Sequence, residues 1–118
     1  MSVTIYEYSK CSTCRNALKW LRAKGLDPVT VPIVEKPPTA EEIRVLVRNS
    51  GLELKKFFNT NGEVYKELAL KDKLGSMTED EQLALLASNG KLLKRPIVTD
   101  GSKVTVGFKE ADFEKAWG

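Results

Sequence analysis

Two cysteines three residues apart, Cys11 and Cys14, stand where a strand-like run gives way to a helical pattern, and the chain has no other cysteine. Upstream, residues 3–8 are mostly β-branched or aromatic and read as a buried strand ending at Ser9-Lys10. Downstream, Ala17, Leu18 and Leu21 recur at helical spacing, predicting a helix over 14–24 with Gly25 as its stop. The pair therefore ties a strand, a turn and a helix into one unit organised around two sulfur atoms.

The rest of the chain extends that unit. Residues 28–33 predict a second strand, which Pro37-Pro38 terminates. Thr39 and Glu42 have the spacing of a capping box, and Ile43, Leu46 and Val47 form the apolar stripe of the helix it opens, with Gly51 past its end. Residues 52–74 are less regular, anchored by Phe57, Phe58 and Tyr65. Thr78 and Glu81 repeat the capping box, and Leu83, Leu85 and Leu86 carry a helix to Asn89-Gly90. Residues 96–99 and 103–106 flank Asp100-Gly101 as a hairpin, and an amphipathic helix over 110–117 closes the chain. The expected order is β-α-β, a helical middle, then β-β-α. Without the middle this is the thioredoxin arrangement, so the fold class is α/β, thioredoxin-like, with a helical lobe inserted over about 39–90. No linker or repeat divides residues 1–118, and they read as a single domain.

Composition narrows the chemistry. The 118 residues are 42% hydrophobic and 30% charged, ordinary for a globular protein. A net charge of +3 gives no footprint for direct nucleic-acid binding. No apolar run approaches the roughly 18 residues a membrane span needs, and the N-terminus lacks a basic, cleavable leader. The expected location is the cytoplasm, where thiols are kept reduced. Histidine is absent, which removes Ser-His-Asp triads, Cys-His dyads and most zinc sites.

What remains is thiol chemistry. A helix start stabilises an anion, so the leading thiol should ionise more readily than a free cysteine at about 8.5. Lys10, Arg15, Lys19, Arg22 and Lys24 face a single acid, Glu7, within the first 25 residues and add to that field. Cys11 is the expected nucleophile, and Cys14, one turn on, the resolving thiol. Ser12, Thr13 and Arg15 complete the loop as candidate substrate contacts. Two competing readings are a pair of inert core cysteines and a metal site shared between two molecules. Neither His nor further Cys is present to complete a metal site within one chain.

A second element is Lys94-Arg95-Pro96-Ile97. In thioredoxin-like folds a cis proline lies opposite the reactive cysteine, and Pro96 falls at that place. An ordinary trans proline starting an edge strand is the alternative. Arg95 reads either as a solvated charge or as a partner for the thiolate or an anionic substrate.

Four segments in order resemble the glutaredoxin-linked arsenate reductases and the Spx-type regulators. They are Cys11-Ser12-Thr13-Cys14-Arg15, Glu35-Lys36-Pro37-Pro38-Thr39, residues 54–60 and Arg95-Pro96-Ile97. The resemblance spans about residues 3–117. It implies a thioredoxin-like sheet with an inserted helical lobe. Reductases of this type use one cysteine, here Cys11, with glutathione and glutaredoxin, and surround it with three arginines. Arg95 matches one; the other two positions fall near Asn59 and Gly107, and Cys14 stands where those enzymes usually have serine. Spx-type regulators carry a Cys-x-x-Cys switch and bind the RNA polymerase α-subunit. Val106-Gly107-Phe108 resembles them, as does Gly51, although the chain ends soon after Phe113. The expected function is thiol–disulfide exchange at Cys11 and Cys14, with Arg95 and Pro96 beside them. The expected reductant is glutathione, another low-molecular-weight thiol, glutaredoxin or thioredoxin, and no further cofactor or metal is expected. A redox-sensing polymerase-binding regulator is the alternative.

Overall fold

The computed structural model describes residues 2–118 and opens with β1 (Thr4–Glu7), α1 (Ser12–Ala23) and β2 (Val29–Pro32). Four helices follow: α2 (Ala40–Ser50), α3 (Glu63–Glu67), α4 (Leu70–Lys73) and α5 (Glu79–Ser88). Short 3-10 turns at Leu54–Phe57, Leu74–Ser76 and Gly90–Leu92 connect them. The chain then returns to the sheet as β3 (Ile97–Thr99) and β4 (Val104–Val106) and ends in α6 (Glu110–Trp117). The strand order is β2-β1-β3-β4, with β1 and β2 parallel and both β1–β3 and β3–β4 antiparallel. This is the thioredoxin-like α/β fold with a helical lobe between β2 and β3. No helix among the described residues is long and apolar enough to cross a membrane.

Period-two alternation sorts the strand residues between two cores. Ile5 and Val98, paired across β1 and β3, face one way and pack with Ala17 and Leu21 of α1 and Phe113 and Trp117 of α6. Thr105 follows the same alternation, and its hydroxyl accepts from the Trp117 indole Nε1 at 3.1 Å. On the other face Tyr6, Ile97, Val104 and Val106 pack against the inserted lobe. That lobe contributes Ile43, Leu46, Phe57, Phe58, Leu83 and Leu86. Both sheet faces are thus covered, and burial of side chains such as Phe57 or Leu86 contributes about 1.5–3 kcal/mol each.

Both capping boxes form. Thr39 Oγ1 accepts from Glu42 N at 3.2 Å while Glu42 Oε1 accepts from Thr39 N at 3.0 Å. Thr78 and Glu81 do the same at 3.1 and 2.8 Å. Gly25 and Gly51 take the left-handed backbone past α1 and α2. Gly90 is a different case: a Cβ there would overlap the Ile33 carbonyl oxygen and lie 2.7 Å from its carbonyl carbon. Only glycine lets the end of the lobe lie against the chain leaving β2.

The strands are each a residue or so shorter than expected, and one helix starts earlier. Helix α1 begins at Ser12 and not at residue 14, because Cys11 itself caps it with a sulfur in the place usually taken by a serine or aspartate oxygen. β2 is confined to Val29–Pro32, within the expected 28–33.

Register brings the two sequence motifs together. Tyr6 pairs with Ile97 at the last β1–β3 position, so the segment leaving β1 and the segment entering β3 emerge at one end of the sheet. Ile97 also pairs with Val106, which brings Gly107 to the same end.

Candidate active site

The cysteine loop is built from backbone bonds. Cys11 N donates to Tyr8 O at 2.9 Å and Arg15 N donates to Cys11 O at 3.1 Å, fixing the loop between β1 and α1. With its own backbone extended (φ −96°, ψ 113°), Cys11 places Sγ over the open end of the helix, where it accepts from Cys14 N at 3.3 Å. Cys11 is half-buried, whereas Cys14 is fully buried on the α1 face that meets the core. Both are free thiols.

Electrostatics separate the two sulfurs. Partial burial of Cys11 opposes ionisation. Hydrogen bonds from the Cys14 thiol and Cys14 N–H, with the hydrogen bond and charge of Arg95, outweigh it and bring the Cys11 pKa below 9.0. Cys14 moves the other way. Burial first, then its hydrogen bond to Cys11, push it up to about 12 against a lowering hydrogen bond with the Tyr8 backbone, with the Cys11 charge (raising) and the Arg95 charge (lowering) behind them. One thiol is set to be the anion and the other to keep its proton.

Arg95 reaches this position from the opposite segment. The Arg95–Pro96 peptide is cis, and Pro96 is buried, its carbonyl accepting from Gly107 N at 2.9 Å. The Arg95 guanidinium lies over the Tyr8 ring, 5.2 Å from its centroid, a cation–π contact that holds it across the mouth of the loop. It also donates to Lys91 O at 3.5 Å, a long bond that leaves most of its donors for a ligand.

A cleft of about 500 Å³ opens over Cys11, and Arg95 and Thr13 line it. Lys56, Lys94 and Lys109 add three ammonium groups, with Asp112 as the one acid on its wall. Asn59 and Gly107, near which the resemblance puts the other two reductase arginines, line the same cleft. Ser12 is exposed beside it. Arg15 is not part of it: its Nη1 donates to Ser9 O at 2.8 Å, which ties the guanidinium to the loop backbone. The cationic support of Cys11 therefore comes from Arg95, far away in sequence, and not from the basic residues of α1.

Tyr8 and the three lysines escaped the sequence reading. Lys94 neighbours Arg95 and Lys56 lies within the 54–60 segment, so both had a visible signal; Lys109 had none. Among the described residues, no three His, Cys, Asp or Glu side chains converge on a point where a metal ion could sit.

Comparison with known proteins identifies the family. YusI of Bacillus subtilis, an uncharacterized protein, is 59% identical over 99% of both chains. The regulatory protein MgsR of the same organism is 29% identical over 96% of this chain and 88% of its own. An Escherichia coli arsenate reductase is 31% identical over 82% of this chain and 67% of its own. A crystal structure of an ArsC-family-related protein from Bacteroides fragilis superposes with a TM-score of 0.93 at 50% identity, covering 98% of this chain and 97% of that one. The sequence profile of the ArsC family matches residues 6–116, and with a relative 59% identical along the whole length, the chain belongs to the ArsC family.

Proposed function

We propose that this protein is a thiol–disulfide oxidoreductase of the ArsC family, with Cys11 as nucleophile, Cys14 as resolving thiol and Arg95 supporting the Cys11 thiolate. The observation that carries the reading is the division of labour at α1: a half-exposed, helix-capping sulfur with lowered pKa above a buried thiol held at about 12.

The chemistry balances in two steps. Cys11 thiolate attacks one sulfur of a substrate disulfide, that S–S bond breaks, and a Cys11–substrate mixed disulfide forms as one substrate thiolate leaves. The leaving thiolate, or water, takes the Cys14 proton. Cys14 thiolate then attacks the Cys11 sulfur and expels the second substrate thiol. The substrate gains two electrons and becomes two thiols, while the protein ends with a Cys11–Cys14 disulfide. Arg95 and the Cys14 N–H stabilise the Cys11 thiolate whenever it is the attacking or leaving group. A low-molecular-weight thiol such as glutathione, a glutaredoxin or a thioredoxin restores the dithiol in the cytoplasm.

Stoichiometric mild oxidant should close a Cys11–Cys14 disulfide within one molecule, visible as the loss of two hydrogens in one peptide and reversed by dithiothreitol. Cys14→Ser should instead accumulate mixed disulfides at Cys11. Two thiols that both alkylate fully after oxidant would show a structural pair and end the reading.

The similarity to the regulatory protein MgsR favours a second reading, a regulator, which the resemblance to Spx-type proteins makes redox-sensing and RNA polymerase α-subunit-binding. Co-purification with the α-subunit that depends on the state of Cys11 and Cys14, without disulfide turnover, would favour that role.

A further inference from the structure

A second opening of about 380 Å³ adjoins the Cys11 cleft, and Lys56 and Lys94 line both. Tyr65 and Leu74 contribute to its walls, with Lys55, Lys71 and Thr60 around them. No carboxylate lines it. Lys56, Lys71 and Lys94 form no ion pair among the described residues, and Lys55 reaches only Glu53, at 3.5 Å on the exposed side.

The charge is concentrated and not diffuse. The two openings together hold six cations (Lys55, Lys56, Lys71, Lys94, Arg95, Lys109) and one acid (Asp112), a net of +5. The whole chain carries +3, so everything outside them is net −2. Separate parts of the fold assemble this field: the 3-10 turn Leu54–Phe57 supplies Lys55 and Lys56, α4 supplies Lys71, and the approach to β3 supplies Lys94. Lys94 N donates to Phe57 O at 2.8 Å, which fixes two of these segments to each other. Cations held together without counter-charges repel, and a bound polyanion relieves that repulsion. The openings are concave and of a size that suits a small molecule.

We propose that the second cleft is an anion subsite for the far end of a low-molecular-weight disulfide that carries several carboxylates, bound so that its sulfur reaches Cys11. The sulfur end of this proposal rests on the exchange chemistry above; the anion subsite rests on the lysine assembly alone. Lys71 and Lys55 select the substrate by charge without touching the reacting sulfurs.

Two measurements test it. In the first, S-methylglutathione, a thioether unable to exchange, is titrated into the reduced protein and followed by amide shifts. Shifts should appear at Thr60, Tyr65 and Lys71, and a Lys55→Gln/Lys71→Gln variant should bind several-fold and at most about tenfold more weakly at low salt, as two exposed charge contacts allow. In the second, reduced protein is mixed with glutathione disulfide (anionic), 2-hydroxyethyl disulfide (neutral) or cystamine (cationic). The double variant, its fold checked by circular dichroism, should slow glutathione disulfide several-fold, leave the neutral disulfide unchanged and speed cystamine.

Binding that ignores the two lysines, or a variant that changes all three disulfides equally, overturns the subsite. So does a lysine effect seen only with an acidic protein disulfide such as oxidised thioredoxin. Lysine-dependent binding of S-methylglutathione without reaction of any disulfide at Cys11 keeps the subsite and removes the exchange reading. Closure of the protein disulfide by the neutral reagent with lysine-independent binding does the reverse.

Discussion

Iodoacetamide at pH 7 and limited conversion should modify Cys11 at least about thirtyfold faster than Cys14. Three effects decide the size. Cys14 sits near 12 and Cys11 below 9.0, so at pH 7 the Cys11 thiolate outnumbers the Cys14 thiolate by about a thousandfold or more. A thiolate of higher pKa is the better nucleophile, and a Brønsted slope of about 0.4–0.5 over three units returns roughly 16- to 32-fold of that advantage. The remaining factor is about thirtyfold, before access is counted. Access adds to it, because Cys14 is 0% exposed. Peptide mapping of the alkylated protein over time reads the ratio directly.

Arg95→Ala extends the test. The guanidinium favours the Cys11 anion, so its removal raises the Cys11 pKa. At a pH below both the native and the variant pKa the thiolate population falls and alkylation slows. Above both, each protein is fully ionised and the difference disappears. The pH–rate profile of Cys11 should therefore shift to higher pH without losing its plateau. Equal rates at the two cysteines, or a profile indifferent to Arg95, would remove the basis for assigning Cys11 as nucleophile.

What the sequence disclosed, and what it withheld, follows from the range of the interactions concerned. The capping boxes at Thr39 and Thr78 are legible because the donor, acceptor and spacing all lie within four residues. The β-branched strand at 3–8, the Asp100-Gly101 hairpin and the apolar stripe of α2 are legible for the same reason. Cys11 as a helix cap was hidden, since apolar periodicity begins only further into α1 and cysteine is an unusual cap. Residues 52–74 were unreadable for a different reason. They fold as helices of four or five residues and 3-10 turns, too short to display a period. The break between α3 and α4 falls on Ala69 at φ 53°, a left-handed backbone that nothing about alanine announces. In the site, Cys11 and Cys14 were plain from spacing, whereas the cationic cleft gathers Lys56, the Lys94–Arg95 pair and Lys109, three separate stretches that only the fold makes neighbours. Arg15 shows the converse: adjacency to Cys14 suggested a role, and one hydrogen bond to Ser9 O turns it elsewhere.

Arsenate reduction by this protein, with glutathione and glutaredoxin supplied, should run at least about a hundredfold below that of the similar Escherichia coli reductase assayed beside it. The resemblance that motivates the comparison places three arginines around the reactive cysteine, and only Arg95 is present here. By that resemblance the other two positions fall near Asn59 and Gly107, and both of these residues line the Cys11 cleft. A hydrogen bond to a charged group contributes about 1.5–3 kcal/mol, so two lost guanidinium contacts to an oxyanion amount to about 3–6 kcal/mol. Lys56, Lys94 and Lys109 keep the cleft positive. An ammonium is a hydrated point charge, however, and does not offer the planar two-donor fork that fits an oxyanion. Their compensation keeps the expectation at the lower end, about 3 kcal/mol, which is somewhat over a hundredfold in rate. Single substitutions separate the two positions. Asn59→Arg places a guanidinium on the cleft wall and should raise arsenate turnover. Gly107→Arg should not, because Gly107 adopts φ +79° and a Cβ there would meet the Lys94 side chain at 3.3 Å. The backbone at Gly107 thus favours glycine and strains any side chain placed there. Turnover by the native protein matching the Escherichia coli enzyme would show that lysines suffice, and the assignment of Asn59 and Gly107 to the missing arginines would fall with it.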